Sequence, residues 1–293
     1  MLEMREGFLS FKGYKIYYKI VGTQIKDRTP LLVIHGGPGS NHNYLLGLAN
    51  IAKSGRQVIF YDQLGSGKSE MPDDPALWTI DLFLEELKVI RQELHLDEVH
   101  LLGHSWGGML AIEYLLRKPT GVRATILASS MISIPLYQIE VDKLKAQLPG
   151  TAGEALFKHE QAGTLDVKEY QKAYKVYSKH HLYRGDAYPT QYSSPPGRTG
   201  KAAYEKLWGP NEAFANGELK NWDKIKQLHQ ITIPTLVTCG QYDELTPWQA
   251  AITRDELTNG SLRIITNGSH LAHIEEEETY LQVLNDFLAK IES

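Results

Sequence analysis

VHLLGHSWGG, residues 99–108, decides how this chain is read. The apolar run VHLLG passes straight into a helical pattern, and Ser105 stands at the junction between Gly103 and Gly107. A strand that turns into a helix at G-x-S-x-G is the setting of a nucleophile elbow. There the serine backbone is strained and its hydroxyl projects above the C-terminal edge of the sheet. The flanking glycines let neighbouring chain pass where a Cβ would collide. A phosphate-binding turn fits poorly, because neither G-x-G-x-x-G nor G-x-x-x-x-G-K-[ST] matches.

Working outward, FLSF (8–11) and YKIYYKI (14–20) flank a Lys-Gly turn and predict a hairpin. LLVIH (31–35), VIFY (58–61), VHLLG (99–103), ATILAS (124–129), TLVTCG (235–240) and LRIIT (262–266) are short runs rich in apolar and β-branched residues. Consecutive apolar positions of this kind mark strands buried on both faces, as in a parallel sheet. Helical periodicity separates them. Ile80, Phe83, Leu84, Leu87, Ile90 and Leu94 recur at spacings of three and four, as do Met109, Ile112 and Leu116. Further helices are expected from Trp248 and from about Glu275.

The rhythm breaks once. Residues 131–223 hold helical stretches such as QIEVDKLKAQL and VKEYQKAYKVYSKHH, with no buried strand, and GDAYPTQYSSPPGRTG (185–200) reads as a loop. The expected architecture is α/β: an eight-stranded, mostly parallel, doubly wound sheet with an inserted helical cap. The core domain takes residues 1–130 and 224–293, the cap 131–223.

Bulk properties exclude several functions. Of the 293 residues 42% are hydrophobic and 23% charged, enough for a full core, and the net charge is −4 with no basic stripe to neutralise a row of phosphates. No nucleic-acid partner is expected. No stretch has signal-peptide or membrane-span character, so no membrane partner is expected either. A single cysteine, Cys239, allows no internal disulfide, and the cytoplasm is the default compartment. No cofactor or metal is expected. Glu275–Glu278 reads as carboxylates facing the positive end of a helix dipole.

A serine hydroxyl needs a base oriented by an acid, and in this topology the chain order is Ser, then Asp or Glu, then His. Asp243 lies just past TLVTCG and His270 just past LRIIT, both on loops leaving the sheet edge that carries the elbow. His273 is further from its strand end, and Asp255 sits within a helical stretch as a solvated charge. Acyl transfer also needs amide donors for an oxyanion. The N–H of Trp106, the residue after the serine, supplies one, and a glycine of HGGPGS (35–40) the other. His35 reads as structural.

HGGPGSNHNY, VIFYDQLGSGKS, GHSWGGMLAIEY, WGPNE and GQYDELTP together resemble the proline iminopeptidase (prolyl aminopeptidase) family of α/β-hydrolases, nearly end to end. The resemblance implies the α/β-hydrolase fold and a serine peptidase that releases an N-terminal residue, preferably proline, from short peptides with a free N-terminus. It places the triad on Ser105, Asp243 and His270, and the oxyanion donors on Gly37 and Trp106. It puts the substrate's amine on Glu212 and Glu244. A carboxylesterase or amidase on the same fold, needing no free amine, is the alternative; a non-catalytic receptor is the more distant one. The 185–200 stretch does not map cleanly onto the family, and the oligomeric state is open. Trp106, Tyr204, Trp208 and Phe214 are candidate pocket walls. Activity is expected to fall below roughly pH 6.5 if His270 is unperturbed.

Overall fold

A computed structural model describes residues 2–25 and 27–292. Its strands are β1 (Met4–Phe11), β2 (Tyr14–Val21), β3 (Leu31–Ile34), β4 (Val58–Tyr61), β5 (Val99–His104), β6 (Val122–Ala128), β7 (Thr235–Gly240) and β8 (Gly260–Ile265). They form one eight-stranded sheet in the order β1-β2-β4-β3-β5-β6-β7-β8. Pairing is antiparallel between β1 and β2 and between β2 and β4, and parallel from β4 onward.

The continuous apolar runs are explained by cover on both faces. Leu32, Ile34, Ile59, Tyr61 and Leu101 point into one buried cluster, while Leu31, Val33, Val58, Phe60 and Leu102 point into another. Helices α1 (Ile80–Glu93) and α2 (Trp106–Leu116) pack on the first face through Phe83, Leu87, Ile90, Met109 and Ile112. The second face is covered by a 3-10 helix, His42–Ser54, through Leu45, Leu48 and Ile51. Leu284 and Leu288 of the C-terminal helix complete that cover. The sequence expectation assigns no element here, although Leu45, Leu48, Ile51 and Ala52 recur at spacings of three and four.

Between β6 and β7 lie α3 (Ile134–Ala146), α4 (Ala152–Ala162), α5 (Lys168–His181) and α6 (Lys201–Leu207), with no named strand among the described residues there. Residues 185–200 form a loop interrupted by one short turn, Thr190–Tyr192. The chain returns through α7 (Pro247–Glu256) to β8. The last helical region is split in two: α8 (Ala272–Glu275) and α9 (Glu277–Ile291) meet at Glu276, whose φ of −127° and ψ of 48° are not helical. Glu277 and Glu278 open α9 as expected. Glu275 does not join them: its carboxylate accepts from Ser269 N–H, Ser269 Oγ and Arg184 N–H, so it clasps loops instead of facing a dipole.

β3 and β5 are hydrogen-bonded neighbours, with Ile34 opposite Gly103, and the chain departs from them toward opposite edges of the sheet. The loops that follow them therefore meet at the switch point where α/β sheets open a crevice. That meeting demands glycine. A Cβ on Gly107 would stand 2.1 Å from the Ile34 carbonyl oxygen, and one on Gly103 would stand 2.3 Å from that of Gly107. Gly107→Ala is expected to cost about 1–3 kcal/mol through forced backbone movement. Denaturant unfolding measures it as a lowered midpoint, and a midpoint equal to the parent's would contradict the close approach.

Candidate active site

Ser105 occupies the N-cap of α2, yet it does not behave as a cap. Thr79, Ser133 and Thr246 also precede helices in this chain, all with negative φ, and each side chain accepts an N–H from its helix. Ser105 has φ 55° and ψ −122°, and its side chain makes no capping hydrogen bond. Its backbone is fully used: its N–H donates to Ala128 at 2.9 Å, and its carbonyl accepts from Gly108 at 2.9 Å. The turn thus withholds the hydroxyl from the helix and presents it to a cavity.

That cavity encloses about 610 Å³ and is walled by Gly36, Gly37, Ser105, Tyr204, Glu212 and His270, among others. His270 follows β8, and its Nδ1 lies 2.9 Å from Asp243 Oδ1. The same Asp243 oxygen accepts the Leu245 N–H at 2.9 Å, which fixes the carboxylate after β7. Ser105 and His270 thus share one wall, although no hydrogen bond joins the hydroxyl to the imidazole. Catalytic hydrogen bonds of this kind are often long in apo structures.

Two further carboxylates surround the histidine. Glu244 is fully buried, with one oxygen 3.8 Å from His270 Nδ1 and the other accepting from Tyr177 O–H at 2.9 Å. Glu212 accepts from Tyr204 O–H at 2.7 Å. One oxygen of each of Asp243, Glu212 and Glu244 is buried with no hydrogen-bond partner. Burial pushes Glu244 up to about 8 and also raises Glu212. Burial opposes charge on His270, but Asp243, Glu244 and Glu212 outweigh it and raise the imidazole to about 9. Two carboxyls that burial drives toward their neutral form thus sit beside an imidazole that its neighbours drive toward the charged form.

The loop after β3 and the elbow itself also hold two unspent donors. Among the described residues, neither the Gly37 N–H nor the Trp106 N–H donates to a protein acceptor. Gly37 has φ 117°, and a Cβ there would meet Gly39 N and Ser40 N at 2.6 Å, so the tight loop requires glycine. The Trp106 indole faces the core, where its Nε1–H donates to Gln63 at 2.9 Å and its ring meets Phe83 edge-on. It does not wall the cavity. Gln63 is held in turn by His35: the Gln63 N–H donates to His35 Nε2 at 2.9 Å. Burial lowers His35 to about 4, so it stays neutral and structural, as the sequence suggests.

Of the remaining aromatic candidates, Tyr204 lines the cavity, while Trp208 packs edge-on against Tyr137 and donates its N–H to Asn211. Asp243 and Glu244 are buried against His270 and do not form the wall. His273 donates to the Tyr44 carbonyl, and Asp255 is exposed beside Arg254. The loop 185–200, unmapped in sequence, supplies Tyr188, Tyr192, Ser193 and Ser194 to the rim. Tyr177 and Tyr204 were not legible as donors to the carboxylates. A tyrosine at helical spacing reads as core, and nothing in the spacing says where its hydroxyl ends. Among the described residues no group of three or more His, Cys, Asp or Glu is arranged to hold a metal ion, and no helix is long and apolar enough to cross a membrane.

Known proteins resemble this chain over nearly its whole length. Residues 29–277 match the family model described as the alpha/beta hydrolase fold. A proline iminopeptidase of Heyndrickxia coagulans is 41% identical over 287 residues, covering 98% of this chain and 99% of the relative. The crystal structure of proline iminopeptidase from Mycobacterium smegmatis superposes with a TM-score of 0.91 at 31% identity, covering 98% of this chain and 99% of that one. The crystal structure of VinJ gives a TM-score of 0.91 at 32% identity with the same coverage. With the relatives matched end to end, the chain belongs to the proline iminopeptidase family of α/β-hydrolases.

Proposed function

We propose that this chain is a serine exopeptidase that releases an N-terminal residue, preferably proline, from short peptides through an acyl-enzyme. One observation carries the reading: Glu212, half-buried on the cavity wall, and Glu244, buried beside His270, each keep an oxygen without a hydrogen-bond partner. Burial drives both carboxyls toward the neutral form, and a cation beside them restores the charge. A peptide's N-terminal ammonium supplies the charge and the donors they lack. The names borne by the similar proteins point to the same substrate class.

In this reading residues 131–223 are a cap domain over a core of residues 1–130 and 224–293, and the protein works in the cytoplasm. With the amine held by Glu212 and Glu244, the first peptide carbonyl lies over Ser105. His270 takes the Ser105 proton at Nε2 as Oγ bonds to the carbonyl carbon, while Asp243 Oδ1 accepts from Nδ1–H and keeps the ring in the needed tautomer. The Gly37 and Trp106 amides hold the oxyanion. His270 then gives its proton to the leaving nitrogen, the C–N bond breaks, and an acyl-enzyme remains. Water, deprotonated by His270, attacks that ester. The N-terminal residue leaves with a free carboxylate, and the proton returns to Ser105.

Hydrolysis of a prolyl arylamide and of its N-acetylated twin tests the amine reading. The free compound is expected to turn over and the acetylated one not. Glu212→Gln is expected to lower kcat/KM on the free compound by about 2–5 kcal/mol, roughly 30- to 5,000-fold. Equal turnover of both compounds would overturn the aminopeptidase reading in favour of an esterase or amidase blind to the amine.

The pH dependence carries a second expectation, and it shifts the limb first drawn from an unperturbed histidine. Surrounding carboxylates raise His270 to about 9, so in the free enzyme the base is protonated, and inactive, at neutral pH. kcat/KM, which reports the free enzyme, should therefore climb with pH above 6.5. A bound ammonium satisfies the carboxylates and lowers His270, so the acid limb of kcat should lie at lower pH. Profiles from pH 5 to 9 measure both limbs. Coincident limbs, or a flat kcat/KM from pH 5 to 8, would contradict this electrostatic coupling.

A further inference from the structure

Beneath the cavity wall, one chain of hydrogen bonds joins the three parts that the reaction must align. The Gly36 N–H, next to Gly37, donates to Tyr44 Oη at 2.7 Å. Tyr44 Oη lies 3.0 Å from His104 Nδ1, and His104 Nε2 lies 3.0 Å from the His270 carbonyl oxygen. The directions follow from chemistry. A carbonyl only accepts, so Nε2 carries the proton. Nδ1 then offers a lone pair, which takes the Tyr44 hydroxyl proton and leaves the Tyr44 oxygen to accept from Gly36. Burial, with His270 and His273 nearby, holds His104 well below its ordinary value, so the neutral tautomer persists.

The packing has no slack at this junction. A Cβ on Gly36 would stand 2.8 Å from Tyr44 Oη and 3.2 Å from both the His104 carbonyl oxygen and Ser105 Cβ. His104 is 2% exposed and Tyr44 9%. The His104 ring lies 4.9 Å from both the His270 and the His273 rings, and the His273 Nε2–H donates to the Tyr44 carbonyl at 3.1 Å. His104 immediately precedes the elbow serine, so a single neutral imidazole touches the histidine's backbone at one nitrogen and the oxyanion loop, through Tyr44, at the other.

We infer that Tyr44 and His104 are positioning residues: their relay fixes the distance between the Gly37 amide, Ser105 and the His270 ring. The inference rests on the triad and oxyanion roles proposed above, not on the identity of the substrate. Neither side chain is given a proton to transfer, and neither reaches the amine site at Glu212 and Glu244.

The experiment compares Tyr44→Phe, His104→Gln and the double variant. Tyr44→Phe keeps the ring and removes the link, while His104→Gln keeps an N–H for the His270 carbonyl and removes the acceptor for Tyr44. Each is read by kcat and KM on the prolyl arylamide and by the rate at which a fluorophosphonate labels Ser105. Each single variant is expected to lose about 10- to 100-fold in kcat and in labelling rate, with KM within about threefold of the parent. The double variant is expected to lose no more than the worse single one, because both cut the same chain. Retention of kcat and labelling within about twofold in either folded variant overturns the inference. So does a loss confined to KM, or losses that multiply in the double variant. If the parent labels but does not cleave the arylamide, the aminopeptidase reading fails while the labelling rates still judge the relay.

Discussion

Everything in this molecule that bears on chemistry depends on the backbone of Ser105 being held at φ 55°. A non-glycine residue in that region costs about 1–3 kcal/mol and persists only where its surroundings over-determine it. Here the surroundings do. The Ser105 N–H is committed to Ala128 on the neighbouring strand, and its carbonyl is committed to the first turn of α2. Gly36, Gly103, Gly107 and Gly108 let β3, β5 and α2 approach until a Cβ on any of them would collide. The strain is thus offset by close packing, and the return is a hydroxyl with no structural duty.

The second constraint is electrostatic. Three carboxylates crowd one histidine, and each retains a buried oxygen without a partner. Elsewhere in this chain buried acids are spent: Asp62 accepts from His42 and from the His42 and Lys68 amides, and Glu113 accepts from Trp222 and pairs with Lys224 and Arg117. The contrast within one protein sets acids whose partners lie in the fold apart from the three beside His270, each with an unused acceptor. Glu86 is an exception away from the histidine: one oxygen accepts from the Leu64 amide, the other is unpaired, and burial pushes it, like Glu244, up to about 8.

The eight strands, the helices that follow them and the interruption between β6 and β7 were legible because burial on two faces leaves continuous apolar runs that solvated segments do not have. Ser105, Asp243 and His270 were legible by position, since strand ends are where an open sheet exposes side chains. Other features were not. Tyr44 reads as one more apolar residue of a helical face with Leu48 and Ala52, and His104 looks like one more polar residue at the end of a strand. Their meeting depends on β3, β5 and β8 lying in one sheet, a relation between segments up to 229 residues apart that no local pattern encodes. Glu275 failed for the same reason: next to other glutamates it reads as a helix charge, while its partners come from loops distant in sequence.

The rim of the cavity shows how an irregular segment acquires a fixed position without secondary structure. Gly200 donates its N–H to the Gly39 carbonyl at 2.7 Å, and a Cβ on Gly39 would stand 2.4 Å from the Gly200 oxygen. Gly67 donates to the Arg198 carbonyl at 2.8 Å, while the Arg198 guanidinium donates to the carbonyls of Gly67 and Ser69. The loop is therefore sewn to the same turn that carries Gly37. Where the loop sits and where the amide points are one geometric fact. An insertion at 185–200 that changed the rim would have to keep the Gly39–Gly200 contact or disturb the oxyanion loop with it.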